Sequence, residues 1–336
     1  MTNCKITFLA LCLIPLFVNA KKTDFSLYIT PEDFGCVSGN IELAHENSVG
    51  LQRAIDYAID NGVMLTSYAN KKYYIKEGLK VKAPMMINFN MAALVATDTV
   101  SMLVIADGKN RKWSGKISGL MINQNKIAKY GIHCVNAIKL HISDCAIVGI
   151  PKNGAGLYME NGYENFIDNV HVEGGENLAT GIKVVTHDCH FSDCAMIDCH
   201  IAVDNSGSNF FERVHAWMGG GGKWIDGSVF FRIGGGNSIF LHQCFSDTFE
   251  RVFDVSATCK LFISQHKNYQ NIKMWKGKRI NSSSFLHFKT LEIANKTYVV
   301  LDNSYIGGLY VGGKNMQTFS NIDNAKHFII VNSYVE

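Results

Sequence analysis

The chain has 336 residues, 18% of them charged, with a formal net charge of +3 at pH 7. That charge is too weak to argue for nucleic acid as a partner. Only four prolines and 30 glycines argue against a disordered chain, and no linker or like-charge block divides it.

The first segment sets Lys5 before an apolar run from Ile6 to Val18 and the small residue Ala20. This reads as a secretory signal peptide over residues 1–20, cut after Ala20. The run is short for a bilayer and contains Pro15, and no later run is of membrane length. A secreted or periplasmic protein with no membrane span is expected, with residues 21–336 as a single domain.

Next comes a helix over about residues 47–61. Asn47 or Ser48 is placed to cap it, and Val49, Leu51, Ala54, Ile55, Ala58 and Ile59 form one apolar face before Gly62. An open solenoid end exposes core and strand edges, so this helix is read as an N-terminal cap.

From residue 117 a six-residue pattern recurs: apolar, polar, Asn-like, small, variable, apolar. Examples are Ile142-Ser-Asp-Cys-Ala-Ile147 and Phe191-Ser-Asp-Cys-Ala-Met196. Copies start at 117, 142, 167, 191, 211, 241, 263, 301 and 330. A period in the twenties built from β-type segments means a solenoid whose turns bury their apolar faces against each other. Each copy reads as strand, tight bend, strand. Asn and Asp suit the bend because they tolerate left-handed φ, which predicts a ladder of Asp144, Asn169, Asp193, Gln243, Asn303 and Asn332. The following small residue points inward, so Cys145, Cys194 and Cys244 read as buried free thiols rather than disulfides.

A second strand lies about ten residues before each copy, as in Ile132-His-Cys134 and Ile182-Lys-Val184. Alternation sends its middle residue outward. Stacking at about 4.8 Å per turn then lines up His133, Tyr158, Lys183, Ala202, Arg232 and Asp254 in one stripe. The expected fold is all-β, a single-stranded right-handed parallel β-helix of eight to ten turns with a helical cap.

Thr30-Pro-Glu-Asp-Phe-Gly35, Leu51-Gln-Arg-Ala-Ile55 and Lys72-Tyr-Tyr-Ile75 resemble the opening of pectate-lyase-superfamily β-helix proteins. With the repeats, the resemblance covers nearly all of residues 21–336. It implies the pectin-lyase-like fold, and an activity drawn from lyases, hydrolases, epimerases, tailspikes or proteins without known activity. The galacturonase motif set is absent. Asn161-Gly-Tyr-Glu164 is similar to a motif of alginate-lyase and chondroitinase-B-type lyases, but their partner motifs are missing, and it also reads as a bend. Calcium serves some relatives, and no acidic cluster assigns it here.

A lyase on uronic-acid glycans must neutralise a carboxylate, remove a proton and protonate a leaving oxygen. Lys183 and Arg232 are candidates for the first task, and His133, Tyr158 or Lys183 for proton transfer. For a hydrolase, Glu160, Asp204 and Asp254 supply carboxylates, with Glu160 and Asp204 expected at the same offset two turns apart. His215, Trp217 and Trp224, around a glycine run, and Trp275 in a basic loop are candidates for sugar contact. His187-Asp-Cys-His190 with Cys194 and Cys199 has metal-like composition but coil spacing, so no metal is assigned. The sequence points to a polysaccharide lyase ahead of a glycoside hydrolase, with a non-catalytic glycan-binding or tailspike/adhesin-like β-helix, open to assembly as a homo-oligomer such as a trimer, as the competing class.

Overall fold

The computed structural model describes residues 27–105, 114–176, 178–218, 227–236, 238–269, 273–275, 278–280, 284–306, 309–312, 314–315, 328–331 and 333–335. The expected signal peptide, Trp224 and Asn332 lie outside the described residues.

The chain winds as a parallel β-solenoid. One face is an 11-stranded sheet running from Leu79–Val81 to Lys314–Asn315. The strands on either side of the bends belong to a 17-stranded sheet. Pairing in both is parallel among the described residues, apart from one antiparallel pairing, Leu309–Val311 with Lys314–Asn315, at the end of the 11-stranded sheet; the antiparallel hairpin of Lys273–Trp275 with Lys278–Ile280 stands as a separate sheet.

The cap is an 18-residue helix, Ala44–Asn61, entered through a tight turn at Ile41–Leu43. It starts before Asn47 because it continues that turn, which Asn40 caps, its Oδ1 accepting from Glu42 N at 3.0 Å. Asn47 and Ser48 do not cap. Asn47 is buried and clasps Val37, accepting from its N–H and donating to its carbonyl. Ser48 Oγ donates to Ala44 O and accepts from Lys76 and Glu77 N–H. These bonds tie the helix to the first turn. Leu51, Ala54, Ile55 and Ala58 are buried on the solenoid end, whereas Val49, expected on that face, is 46% exposed. Gly62 ends the helix at φ 65°, where a Cβ would be strained.

The bends take the left-handed conformation: Asp144, Asn169, Asp193, Gln243 and Asn303 all have φ between 45° and 55°. Gly119, Arg213 and Gln265 do the same in their turns. The ladder bonds between turns, with Asn169 Nδ2 donating to Asp144 Oδ1 at 2.9 Å and Gln243 Nε2 to Gln265 Oε1 at 2.9 Å. Arg213 compensates for its unusual position by donating to both oxygens of Asp193 at 2.7 Å. Asn161-Gly-Tyr-Glu164 is likewise a bend, with Asn161 at φ 58° and Glu164 at φ 52°.

The residue after each bend faces the core. Cys145, Val170, Cys194, Val214 and Cys244 are each at most 2% exposed. Beside them Phe191 stacks on Phe211 at 4.8 Å, and Phe211 meets Phe231 edge-on at 4.9 Å. All eight described cysteines are free and buried. Burial pushes the thiol of Cys145 up to about 11 and those of Cys194 and Cys244 up to about 12, so thiolate is scarce at neutral pH. Iodoacetamide is expected to leave these eight cysteines unmodified in the native protein and to alkylate all of them in denaturant. Native-state labelling at Cys194, read by peptide mass spectrometry, would contradict this packing.

His266 is buried beside Phe230 and Phe253, and burial pushes it down to about 3. The unfolded chain therefore takes up a proton near pH 6.5 that the folded chain refuses. Stability present above 6.5 is lost as pH falls toward 3. His266→Phe is expected to flatten that fall, measured as urea midpoints between pH 7 and pH 4.

Candidate functional site

The outward stripe forms on the 11-stranded sheet. His133 pairs with Tyr158, Tyr158 with Lys183, Lys183 with Asp204, Asp204 with Arg232, Arg232 with Asp254, and Asp254 with His287. Seven consecutive turns thus present His, Tyr, Lys, Asp, Arg, Asp and His at strand spacing, about 4.8 Å apart.

One register differs from expectation. Ala202 is fully buried, and Asp204 takes the stripe position in its turn. The reason is packing on the inner side. Gly131, Gly156 and Gly181 precede the first apolar residue of successive strands, where a Cβ at Gly156 would meet Val172 Cγ1 at 2.6 Å and one at Gly181 would meet Met196 Cγ at 2.7 Å. Ala202 stands in register with Gly181, and the position continues as the buried Phe230 in the next turn. Its neighbour Val203 then pairs with Ile182 and Phe231, which turns Asp204 outward.

The shift also separates Glu160 from Asp204. Glu160 pairs with Val135 and Val185, two residues past the stripe. Two turns and two residues put the backbones of Glu160 and Asp204 about 12 Å apart, so the pair does not share the offset expected of it. Glu160 is engaged within its own neighbourhood. It accepts from Tyr158 OH at 2.7 Å and bonds His133 Nε2 at 2.9 Å. The His133 and Tyr158 rings stack at 4.8 Å, and Tyr130, which sequence reading passed over, packs 5.0 Å from each. Burial and then Glu160 push the Tyr158 phenol well above its ordinary range, so it stays protonated.

The Lys183 ammonium lies 5.1 Å from the Tyr158 ring centroid. Among the described residues neither Lys183 nor Arg232 closes an ion pair, although both lie near enough to Asp204 to act on it. Burial outweighs their pull and raises the Asp204 carboxyl above its ordinary 3.8. Asp254 goes the other way. Burial raises it, but the His287 hydrogen bond at 3.1 Å, with Arg251 and Arg232, brings it below the usual carboxylate range. Lys183, Asp204, Arg232, Tyr130, Thr180 and His200 line a cleft of about 310 Å³. His287 was missed because it lies in the longest interval between repeats, read as loop; the segment Ser284–Phe288 there is a strand. Its signal was the alternation Phe285-Leu-His-Phe288.

Two of the candidate sugar-contacting residues, His215 and Trp217, do not join this face. His215 and Trp217 lie on a strand of the other sheet, in register with Ala195 and Ile197. There the His215 ring packs 4.7 Å from Trp217 and 3.5 Å from Phe245, and burial lowers it to about 4, so it is neutral at pH 7. Trp275 sits on the short hairpin of Lys273–Trp275 with Lys278–Ile280. The metal-like sequence cluster disperses: Cys189, Cys194 and Cys199 are buried, while His190 stacks outside between Phe166 and Phe210. Among the described residues no three metal-ligating side chains converge, and no helix is long and apolar enough to cross a membrane.

The folded protein holds the Asp204 proton more tightly than the unfolded chain, so this group's contribution to stability falls as pH rises through and above 3.8. Asp204→Asn, which cannot ionise, is expected to raise the melting temperature at pH 7 and to lose that advantage below pH 3.8. An advantage that persists at the lowest pH would point to some other cause.

No protein-family model and no curated protein matches the chain. Among solved structures, ORF18 of Geobacillus virus E2 superposes with a TM-score of 0.56 at 14% identity, over 92% of this chain and 60% of that one. The chain thus spans less than two thirds of that protein's length. A tailspike protein double mutant of E. coli bacteriophage HK620, in complex with pentasaccharide, superposes at 0.48 with 9% identity, over 92% of this chain and 80% of that one. The Azotobacter vinelandii mannuronan C-5 epimerase AlgE4 A-module gives 0.46 with 12% identity, over 92% and 97%. At these identities the similarity is one of fold.

Proposed function

We propose that this protein acts on an acidic polysaccharide laid along the stripe, and that it cleaves the chain by β-elimination. The observation that carries this reading is the run Lys183–Asp204–Arg232. Two cations without described ion-pair partners flank a carboxyl whose proton affinity is raised. Free cations on an outer face are suited to the carboxylates of a uronic-acid chain, Arg232 through two parallel hydrogen bonds.

In the chemistry proposed, Lys183 and Arg232 hold the uronate carboxylate and spread the charge that develops when C5 loses its proton. Asp204, as carboxylate, takes that proton, and its raised affinity suits it to the task. The electron pair forms the C4–C5 double bond and the bond to the 4-oxygen breaks. Tyr158, kept neutral by burial and Glu160, gives its proton to the leaving oxygen, and the His133–Glu160 pair beside it relays the replacement.

A specific observation favours hydrolysis as the second reading. Asp204 and Asp254 share the stripe two turns apart, about 9.6 Å by strand spacing. One carboxyl is raised and the other lowered. Opposite shifts on two carboxyls at this separation resemble the acid and base of an inverting glycosidase.

Purified protein incubated with polyuronates is expected to release products with the ultraviolet absorbance of the C4–C5 double bond. Lys183→Ala or Arg232→Ala should cut the rate on the order of 10²-fold. New reducing ends without that absorbance, abolished by Asp254→Asn, would replace elimination with hydrolysis.

A further inference from the structure

The other sheet carries a feature that the stripe chemistry does not use. Phe166, His190, Phe210, Phe240 and Phe262 occupy one outward register position in five successive turns. Their rings stack with centroids 5.3, 4.6, 4.8 and 4.8 Å apart and planes within 16° of parallel. Phe166, Phe210 and Phe240 remain 45%, 37% and 36% exposed. Two residues further along each strand runs a polar column of Asp168, Ser192, Glu212, His242, Ser264 and Asp302. Ladder and polar column, from Phe166 to Asp302, border a concavity of about 720 Å³.

Exposed apolar area in a continuous strip calls for an occupant. We infer that this groove is a second glycan site, taking an uncharged, hydroxyl-rich polysaccharide chain parallel to the solenoid axis. Each turn repeats the same pair, an apolar ring edge beside a hydrogen-bonding side chain. A pyranose has the matching division, with a C–H face and a rim of hydroxyls. The turn spacing of about 4.8 Å is close to the length of one pyranose in an extended chain, so successive sugars meet successive turns.

Charge selects among occupants. From Phe166 to Asp302 the two columns hold three carboxylates and no lysine or arginine. Arg213, beside the columns, pairs with Glu212, but Asp168 and Asp302 still disfavour a polyanion, and a second copy brought face to face would set these carboxylates against their own. Hydroxyl donors of a neutral glycan are complementary to Asp168, Glu212 and Asp302. The rings also stack on one another, so they offer edges outward. Binding then rests on contact along several turns rather than on one sugar over one ring face, and affinity should grow with chain length.

The test is electrophoresis of the full chain through native gels cast with a soluble β-glucan, a mannan, a xylan or a polyuronate. At least one neutral polymer is expected to retard the protein. The double variant Phe210→Ala/Phe240→Ala should weaken that retardation about tenfold and leave polyuronate retardation unchanged. Glu212→Gln, an exposed change that spares the core, should weaken it severalfold. Competing oligosaccharides should gain potency up to about five units, one per ladder turn. Failure of all three neutral polymers to retard the protein overturns the inference. So does a ladder variant that lowers the mass in light scattering while retardation stands, which would assign the face to a second copy. Because the polyuronate gel reads the stripe separately, either site can fail without the other.

Discussion

The structure depends on the register between turns. Parallel strands pair residue for residue, so a position in one turn lies directly above its equivalent in the next. Every functional feature here is a column generated by that rule: the bend ladder, the buried thiols, the charged stripe and the aromatic ladder. Side chains dozens of residues apart become neighbours, and local sequence order matters little. The same rule makes the solenoid vulnerable at its ends. The helix at Ala44–Asn61 meets that need at one end, with Asn47 and Ser48 bonding it to the first turn.

Two faces of different chemistry follow from one winding. On the stripe, positive and negative groups alternate by turn, and the carboxyl between two cations is still driven up because burial outweighs their attraction. Across the bends, aromatic rings stand beside a polar column with three carboxylates, one of which, Glu212, pairs with Arg213 at the bend. The division arises from strand alternation, which sends residues two apart to the same side. Phe210 and Glu212 are thus adjacent columns of one face, while Phe211 between them builds the core.

Much of this was legible in the amino-acid sequence. The repeat fixed the solenoid class, because a period in the twenties leaves each turn unable to bury its apolar face alone. The Asn-like position foretold left-handed bends, and the small residue after it foretold an inward column. Lys183, Arg232, His133, Tyr158 and Asp254 were placed on one stripe by alternation alone, and the pairings agree.

What only the tertiary structure decided was register where repeat intervals vary, and the surroundings of each side chain. Apolar pattern selects Ile201-Ala-Val203, because in the true frame, Val203-Asp-Asn205, the second inward residue is a buried amide bonded to Gly207 O and Asn209. The strand pairing settles it: Val203 stands level with Ile182 and Phe231, which buries Ala202 and presents Asp204. His287 reached the stripe because a strand forms inside a long interval that sequence spacing marked as loop. The aromatic ladder was present in the sequence as isolated rings in successive repeats. Sequence determines which side of a strand a residue faces; only the packed turns determine which residues stand above and below it, because that depends on how many residues each loop takes up between strands.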